Sequence, residues 1–304
     1  GYSVSSQNPE KSSRVLPVFL LFLIGALWGG FYVLIKLGVT NGVHPFNYLF
    51  WFTVVCGLLL LAAAVLRGLS PRLQRVHWPY YLKLGFVRFT IGNAIFYSAQ
   101  GKLPVGLMAV IMTFVPIFTY SISLGVRIEV FRWLRAAGII MGFIGVLLIV
   151  VPRSSLPDPS MATWVIIGLG APLMHAVSYV ALSEKTRPAG VDSMILSSGT
   201  LLAAAIFSLP LALAFGAFDF LDWPPTPGQI AMLSHAALAA VNFYAIFELI
   251  RIAGPTYMSQ ANFLAVGFGV VFGLIILSES HSLYIWGAIG LMLIGVALVN
   301  WKRR

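Results

Sequence analysis

The chain has 304 residues, of which 59% are hydrophobic and only 9% charged, and its mean hydropathy is +0.93. A soluble domain carries roughly 45–50% apolar and about 25% charged residues, so this composition excludes a water-soluble globule and a disordered chain. The net charge of +10 would suggest nucleic acid for a soluble protein, but here it predicts basic loops facing the anionic lipid bilayer and no nucleic-acid partner.

Residues 1–15 are polar, and the apolar stretch after them is too long for a cleavable signal, so they are predicted to form a polar N-terminal tail. Ten apolar runs follow, each near the ~20 residues that a helix needs to cross hydrocarbon. In lipid each run must be helical, because only a helix satisfies its own backbone hydrogen bonds. We therefore predict an all-α integral membrane protein with ten transmembrane helices. The runs cover residues 16–37, 46–66, 78–100, 103–126, 133–151, 162–182, 193–215, 229–250, 255–277 and 283–301.

The basic residues are distributed unevenly between the two sides that these runs define. Fifteen Lys and Arg residues lie on the side of the N-terminal tail, whereas only Lys36, Lys102 and Arg153 lie on the other side. Loops rich in Lys and Arg stay in the cytoplasm. Both termini are therefore predicted to be cytoplasmic, which an even number of spans also requires.

The chain resembles itself at an offset of 150 residues. Glu129 falls on Glu279 near the end of an apolar run, and the Gly-Val-Leu-Leu stretch at 145–148 falls on Gly-Val-Ala-Leu at 295–298. Matches among apolar residues are weak taken singly, but the glutamates at equivalent places indicate a duplication.

The duplication predicts two halves of five runs each, residues 16–151 and 161–304, with a linker loop at 152–160. Because five is odd, the second half must enter the membrane upside down relative to the first. Inverted repeats of this kind are typical of secondary transporters, whose binding site lies near the midplane between the halves.

The motif residues resemble those of the EamA-type drug/metabolite transporters. They are Trp28-Gly29, Lys36, Pro116, Glu129 and Gly138…Gly145-Val146 in the first half, and Glu279 and Gly287…Gly295-Val296 in the second. The resemblance extends over nearly the whole chain and implies two inverted five-helix repeats in the bacterial inner membrane that export small metabolites. Within the family the chain is most similar to the bacterial aromatic amino-acid exporters.

Ionisable side chains deep in a membrane are expensive and usually face the bundle interior. Arg88 lies near the middle of the third run if that helix starts at Trp78, and it can then pair with a substrate carboxylate. If the helix starts near Leu82, Arg88 instead extends to the cytoplasmic interface. His175 lies near the middle of the sixth run with Tyr179 on the same face, where it can bind a ligand, carry a proton or join two helices.

Aromatic and amide side chains near the run centres complete the predicted substrate-binding set. An aromatic residue far from the membrane interface either packs against neighbouring helices or lines a cavity. A buried asparagine either joins two helices or receives a substrate ammonium group. Asn242 shares a helix face with His235, seven residues before it. The predicted residues are Trp28, Tyr32, Asn93, Tyr97 and Asn242.

Other polar and small residues are assigned structural roles. Glu129 and Glu279 are predicted to be helix caps or gate contacts rather than substrate ligands. Gly138-x-x-x-Gly142 and Gly25-x-x-x-Gly29 are small-residue helix-packing motifs. Cys56 is the only cysteine, so no disulfide framework or cysteine-based metal site is predicted.

The sequence lacks the patterns of the common catalytic and nucleotide-binding motifs. It contains no Gly-x-x-x-x-Gly-Lys, no His-Glu-x-x-His and no Gly-x-Ser-x-Gly. We therefore predict no cofactor, no metal and no enzymatic activity, and favour a secondary transporter of neutral and aromatic amino acids. An exporter of other metabolites or drugs and an intramembrane enzyme acting on a lipid-linked substrate are the alternatives. Leu60 is expected to face lipid.

Overall fold

The computed structural model describes residues 9–71, 75–152, 154–181, 188–253 and 261–301. Within these ranges the chain is helical and contains no β-strand, which confirms the predicted all-α class. A 3-10 turn, Arg75–His77, precedes α3, and a π-helical segment, Gly85–Gly92, joins α3 to α4. The α-helices are α1 (Pro9–Thr40), α2 (Pro45–Leu66), α3 (Trp78–Leu84), α4 (Asn93–Lys102), α5 (Val105–Met112), α6 (Phe114–Gly125), α7 (Trp133–Val150), α8 (Met161–Gly168), α9 (Gly170–Ala181), α10 (Ser193–Ala214), α11 (Pro227–Ala253), α12 (Ala261–Ile276) and α13 (Leu283–Val299).

Length and composition qualify seven helical stretches in the described part of the chain as candidate membrane spans. They are Val15–Thr40, Pro45–Leu66, Val105–Gly125, Trp133–Val150, Met161–Val180, Ser193–Ala214 and Pro227–Leu249. The apolar helices α12 and α13 are shorter, and the segment from α3 to α4 is interrupted by the π-helical residues. The count of ten crossings therefore stays a prediction.

Several helices begin where a polar side chain or a proline satisfies the first backbone groups. The Met194 N–H donates to the Asp192 carboxylate at 2.8 Å at the start of α10. The Phe46 N–H donates to His44 Nδ1 at 3.1 Å at the start of α2, where Pro45 takes the first position. At the start of the chain, α1 begins at Pro9, so the helix extends into the stretch that the sequence assigned to a polar tail.

Two of the predicted runs contain a break, each shortly before a proline. Pro116 lies in the first turn of α6, after the break at Thr113, and Pro172 lies in the first turn of α9, after the break at Leu169. Proline has no N–H and fits the first turn of a helix better than its interior, although α1 contains Pro17 and α10 contains Pro210. Each break places its proline in a first turn.

Glycines allow a close helix contact between α7 and α13. A Cβ atom placed on Gly138 would lie 2.5 Å from the Gly295 carbonyl oxygen, and one placed on Gly295 would lie 2.6 Å from the Gly138 carbonyl oxygen. A Cβ on Gly29 of α1 would likewise lie 2.6 Å from the Cβ of Phe268 on α12. The small-residue motifs of α1 and α7 are thus helix-packing surfaces, as predicted.

Helices that are distant in sequence pack against each other in a recurring pattern. Helix α2 packs on α10, α5 on α12 and α7 on α13. Helix α1 contacts α11 and α12, and α9 contacts the π-helical segment and α6. Helix α11 also contacts α2, and α10 contacts the π-helical segment. These contacts join the first and second halves of the chain along most of its length.

The exterior of the helical bundle is apolar, as lipid contact requires. Leu58 is 51% exposed and Ile275 is 73% exposed. Leu60 is only 1% exposed and packs in the core with α2, α10 and α11 residues, so the expectation that it faces lipid is wrong. A helix that is apolar all round gives no sequence signal for which face is buried.

Candidate functional site

Aromatic side chains from α1, α2, α4 and α11 surround a buried histidine. A hydrogen bond of 2.8 Å joins Tyr48 Oη to His235 Nδ1, and the Phe52 ring stacks on the imidazole with centroids 4.3 Å apart. The ring centroid of Phe31 lies 4.7 Å from that of His235, and the ring centroid of Tyr97 lies 4.9 Å from that of Tyr48. We call these five residues the aromatic cluster.

The predicted residue Tyr32 is connected to this cluster through one further ring. Tyr32 meets Phe96 edge to face with centroids 5.5 Å apart, and Phe96 lies 5.7 Å from Tyr97. Trp28, one turn earlier on α1, packs instead against a separate apolar cluster that contains Leu249 of α11 and Ala261 of α12. Two of the three predicted aromatic residues on α1 and α4 are thus brought together, and Trp28 occupies a separate place.

The two predicted asparagines are both buried. Asn242 is 5% exposed, and its Oδ1 atom has no hydrogen-bond partner in the described part of the molecule. Asn93 is 8% exposed and directly follows the π-helical segment. A buried polar atom without a partner costs about 1–3 kcal/mol, so the Asn242 oxygen is a position at which a ligand donor would be favourable.

A second group of predicted residues meets where the π-helical segment packs on α9. The Arg88 Cζ atom lies 5.1 Å from the centroid of the Tyr179 ring, and the Arg88 Nε atom is buried without a hydrogen-bond partner. His175 packs on Gly92 of the same π-helical segment, where an added Cβ would lie 3.4 Å from the imidazole. We call Arg88, His175 and Tyr179 the arginine group.

The hydrogen bonding of His175 determines what its ring can offer a ligand. Its Nδ1 atom lies 2.8 Å from the carbonyl oxygen of Ala171, which can only accept, so Nδ1 carries the proton. In the neutral imidazole Nε2 is then an acceptor. The arginine group therefore combines a guanidinium that binds carboxylates with a ring nitrogen that receives an N–H donor.

The Thr90 hydroxyl is bonded within the π-helical segment that carries Arg88. The Thr90 hydroxyl donates to the Gly85 carbonyl, five residues earlier, at 3.0 Å, and also approaches the Ala204 carbonyl at 3.4 Å. π-Helical turns are rare and are frequent at functional sites. The helix that carries Arg88 starts at Trp78, as the prediction of a deep arginine requires.

Sequence reasoning missed Tyr48 and Phe52 and left His235 as a neighbour of Asn242. Tyr48 and Phe52 are four residues apart on α2 and therefore share a helix face. The four-residue spacing could have indicated a shared helix face. It does not stand out in α2, because apolar and aromatic residues occur on every side of this helix. The contact with His235, 187 residues away, is visible only in the folded chain.

The glutamate predicted to be a cap fulfils that role across the two halves of the chain. Glu279, in the loop between α12 and α13, accepts the Val105 N–H at 2.6 Å and the Gly106 N–H at 3.3 Å, at the start of α5. The His281 Nε2 atom lies 3.9 Å from the same carboxylate. Burial lowers the pKa of His281, and the carboxylate opposes this shift only in part, so the ring is neutral at pH 7.

Glu129, the equivalent residue of the first half, has a different partner. Arg135 Nη1 donates to its carboxylate at 3.3 Å, and the glutamate side chain is 47% exposed. Within the described residues, no group of three or more His, Cys, Asp and Glu residues could hold a metal ion.

Long apolar helices that carry buried polar groups are the mark of an integral membrane protein. The pattern of the EamA-like transporter family matches the chain twice, over residues 15–151 and 162–301, and the chain belongs to this family. A solved crystal structure superposes with a TM-score of 0.62 over 95% of this chain and 96% of that chain. Its sequence identity of 19% means that this likeness shows the fold alone.

The chain is also similar to curated transporters along almost its whole length. It is 26% identical to the uncharacterized inner membrane transporter YedA of Escherichia coli, covering 94% of this chain and 92% of the relative. It is 23% identical to the uncharacterized transporter YvbV of Bacillus subtilis, with coverages of 98% and 94%. It is 24% identical to an S-adenosylmethionine/S-adenosylhomocysteine transporter of Chlamydia trachomatis, with coverages of 93% and 89%.

These similarities and the apolar helices identify a multi-pass bacterial inner membrane transporter. All three relatives are named as transporters, in line with the expectation of a non-enzyme. None of the three names mentions aromatic amino acids. The family prediction is therefore confirmed, and the substrate stays a prediction.

Proposed function

We propose that the protein exports neutral and aromatic amino acids across the inner membrane by alternating access. The observation that carries the proposal is the arginine group, in which Arg88, with its buried and unpartnered Nε atom, and His175 lie where the π-helical segment packs on α9. An α-amino acid presents a carboxylate and an ammonium group on one carbon atom. The guanidinium suits the carboxylate, and the His175 Nε2 acceptor suits the ammonium.

The aromatic cluster supports the preference for an aromatic side chain. Aromatic rings pair favourably in offset or edge-to-face arrangements, with a gain of about 0.5–1.5 kcal/mol beyond burial. Tyr97 of the cluster lies on α4, which directly continues the π-helical segment of Arg88. Phe96 and Tyr32 extend the cluster through ring contacts from Tyr97. In this proposal Asn242 Oδ1 is a second acceptor for the substrate ammonium, and Trp28 and Asn93 also belong to the substrate-binding residues.

A second candidate cargo is S-adenosylmethionine, favoured by the name of the chlamydial relative. That molecule also carries an α-amino-acid group, and it adds an adenine ring and a positive sulfonium. The arginine group would suit its amino-acid end, and aromatic rings stabilise a cation near their faces. The two candidates therefore differ in what the aromatic cluster receives.

A transport assay distinguishes the two cargoes. Purified protein in liposomes is expected to take up labelled Phe and Trp faster than protein-free liposomes, and excess unlabelled Phe should compete. Labelled Thr, Met and S-adenosylmethionine, each with and without a pH gradient, complete the panel. Uptake of S-adenosylmethionine without uptake of Phe or Trp would reject the amino-acid proposal in favour of the second cargo.

We further propose that the chain forms two inverted repeats of five spans with both termini in the cytoplasm. The family pattern matches once before and once after the linker at 152–160. When each span of the first half is replaced by the equivalent span of the second half, and the reverse, most helix contacts correspond to a contact that is also observed. The contacts of α1 with α11 and α12 correspond to those of α9 with the π-helical segment and α6.

The backbone turns at Glu129 and Glu279 also support the duplication. The Glu129 N–H donates to the Ser123 carbonyl at 3.2 Å, and the Glu279 N–H donates to the Gly273 carbonyl at 3.1 Å. Both bonds span six residues and lie 150 residues apart in the sequence. A duplication accounts for the same unusual turn at the same place in each half.

The proposed orientation predicts where fused reporters will be found. A reporter after Arg132 is expected in the cytoplasm, and reporters after Pro157 and Pro224 are expected in the periplasm, because basic loops are retained inside. Paired alkaline phosphatase and fluorescent protein fusions measure this directly. A cytoplasmic signal from the Pro157 fusion would contradict the arrangement of five spans in each half.

A further inference from the structure

The turn between α4 and α5 is held from two sides by opposite charges. Lys36 Nζ, in the last part of α1, donates to the carbonyl oxygens of Leu103 at 2.9 Å and Gly101 at 3.4 Å. On the other side Glu279 accepts the Val105 and Gly106 N–H groups. We call Lys36, Glu279 and these four backbone groups the end clamp.

The end clamp uses bonds of the strong kind. Hydrogen bonds to an ionised group are roughly twice as strong as neutral ones, and the start of a helix favours a negative charge. The Glu279 side chain is only 11% exposed and the His281 side chain beside it is fully buried. A Cβ atom on Gly273 would clash with the carboxylate, so this glycine leaves the space that Glu279 occupies.

Only one member of the end clamp belongs to the second half of the chain. Lys36 and the turn lie in the first half, whereas Glu279 lies in the second. The carboxylate thus fastens the start of α5 to the loop between α12 and α13. At this same end of the bundle the Ser282 hydroxyl donates to the Ser155 carbonyl at 2.6 Å. The two halves are therefore bonded together where α1 ends.

At the opposite end of the bundle, the equivalent glutamate makes no bond to the second half in the described part of the chain, and Arg67 Nη1 contacts Met194 Sδ of that half at 3.5 Å. Helices α5 and α6 together cover Val105–Gly125, about 30 Å of helix, and Glu129 follows them at the far end. There the Glu129 carboxylate binds Arg135 of its own half and is largely exposed. Two glutamates in equivalent places are thus used differently, one across the halves and one within a half.

We propose that the end clamp is the gate that keeps the Thr40 end of the transporter closed, and that Glu279 must leave α5 in each transport cycle. The inference rests on the proposed alternating-access function. Under the proposed orientation the Thr40 end is periplasmic, so release of Glu279 is the step that opens the path for export. Glu279 and Lys36 are then positioning residues that determine which end is open.

A cysteine-labelling experiment tests the gate without any substrate. In a Cys56→Ser background, Ala109→Cys reports on the α5–α12 interface, because Ala109 is 1% exposed and an added Cβ on Gly269 would lie 2.9 Å from its Cβ. Ala288→Cys reports on the buried α7–α13 interface and reveals general loosening. The measurement is the rate of reaction with a small water-soluble thiol reagent in membranes.

Glu279→Gln is expected to raise the labelling rate at Ala109→Cys by about tenfold, the size expected for losing a charge-assisted hydrogen bond. Labelling at Ala288→Cys should stay within about twofold, as should labelling at Ala109→Cys in the matched variant Glu129→Gln. Glu279→Asp, which keeps the charge, should restore part of the protection. A merely structural role of Glu279 would raise labelling at both reporters.

Lys36→Gln is a second variant that removes the charge on the other side of the turn. It tests the gate if Glu279→Gln fails to reach the membrane. It too should raise labelling at Ala109→Cys alone. Unchanged labelling at Ala109→Cys in a folded clamp variant, or an equal rise at Ala288→Cys, overturns the gate. Because no substrate is used, this failure is distinct from failure of the amino-acid proposal, which only the uptake panel tests.

Discussion

Replacing Gly295 with leucine is expected to lower the amount of folded protein in the membrane by about tenfold or more. An added Cβ at this position lies 2.6 Å from the Gly138 carbonyl oxygen and 3.1 Å from the Gly142 nitrogen. Both neighbours are backbone atoms, so no side chain can turn aside. The helices α7 and α13 would have to separate, and close packing between small residues is what holds membrane helices together.

Gly290→Leu is the matched control for this prediction. Gly290 lies on the same helix α13, is exposed, and has no atom within 4 Å of an added Cβ. It should be tolerated, since its new side chain would face lipid. The measurement is the monodisperse fraction of a fluorescent fusion after extraction in detergent. Equal losses for the two variants would mean that the α7–α13 contact does not determine stability.

Arg88→Gln is expected to reduce transport of the cargo by about tenfold or more while leaving protein abundance unchanged. Removing one side of a bidentate pair with a carboxylate costs several kcal/mol when the carboxylate is buried. The fold should tolerate the change, because no hydrogen bond to the Arg88 Nε atom is lost in the described structure. Arg88→Lys should restore little activity, since an ammonium lacks the planar fork.

Lys83→Gln provides the comparison that decides between the two predicted roles of Arg88. Lys83 lies five residues earlier on α3 and is exposed. If Arg88 only extends to the cytoplasmic interface, the two variants should lose the same small amount of activity. Initial rates of uptake per folded molecule in liposomes measure the difference. Arg88→Gln activity equal to that of Lys83→Gln would remove the arginine group from the binding site.

Much of the helical framework could be predicted from the sequence, because hydrocarbon imposes a local rule. Each apolar run had to satisfy its own backbone, and most of the described part of each run is helical. Asp192 and Pro45 lie at helix starts, and the glycines of α7 lie at a close helix contact. These features depend on residues that are close together in the chain.

The composition of the candidate site could not be predicted from residues close together in the sequence. Helices such as α2 are apolar all round, so no periodicity shows which face turns inward, and Leu60 was wrongly expected to face lipid. The contact of Tyr48 with His235 joins residues 187 positions apart. Such pairs are set by the crossing of helices rather than by spacing within one helix.

The sequence by itself determined the class of protein, the helical runs and the residues able to carry a charge or a ring into the membrane. Only the tertiary structure decided that Arg88 meets Tyr179 and His175 packs on the same π-helical segment, that Trp28 lies apart from them, and that Glu279 binds the start of α5. The physical reason is that lipid fixes the backbone of each helix separately. Which side chains then meet depends on packing between helices, where small residues and buried polar groups choose among many nearly equivalent apolar faces.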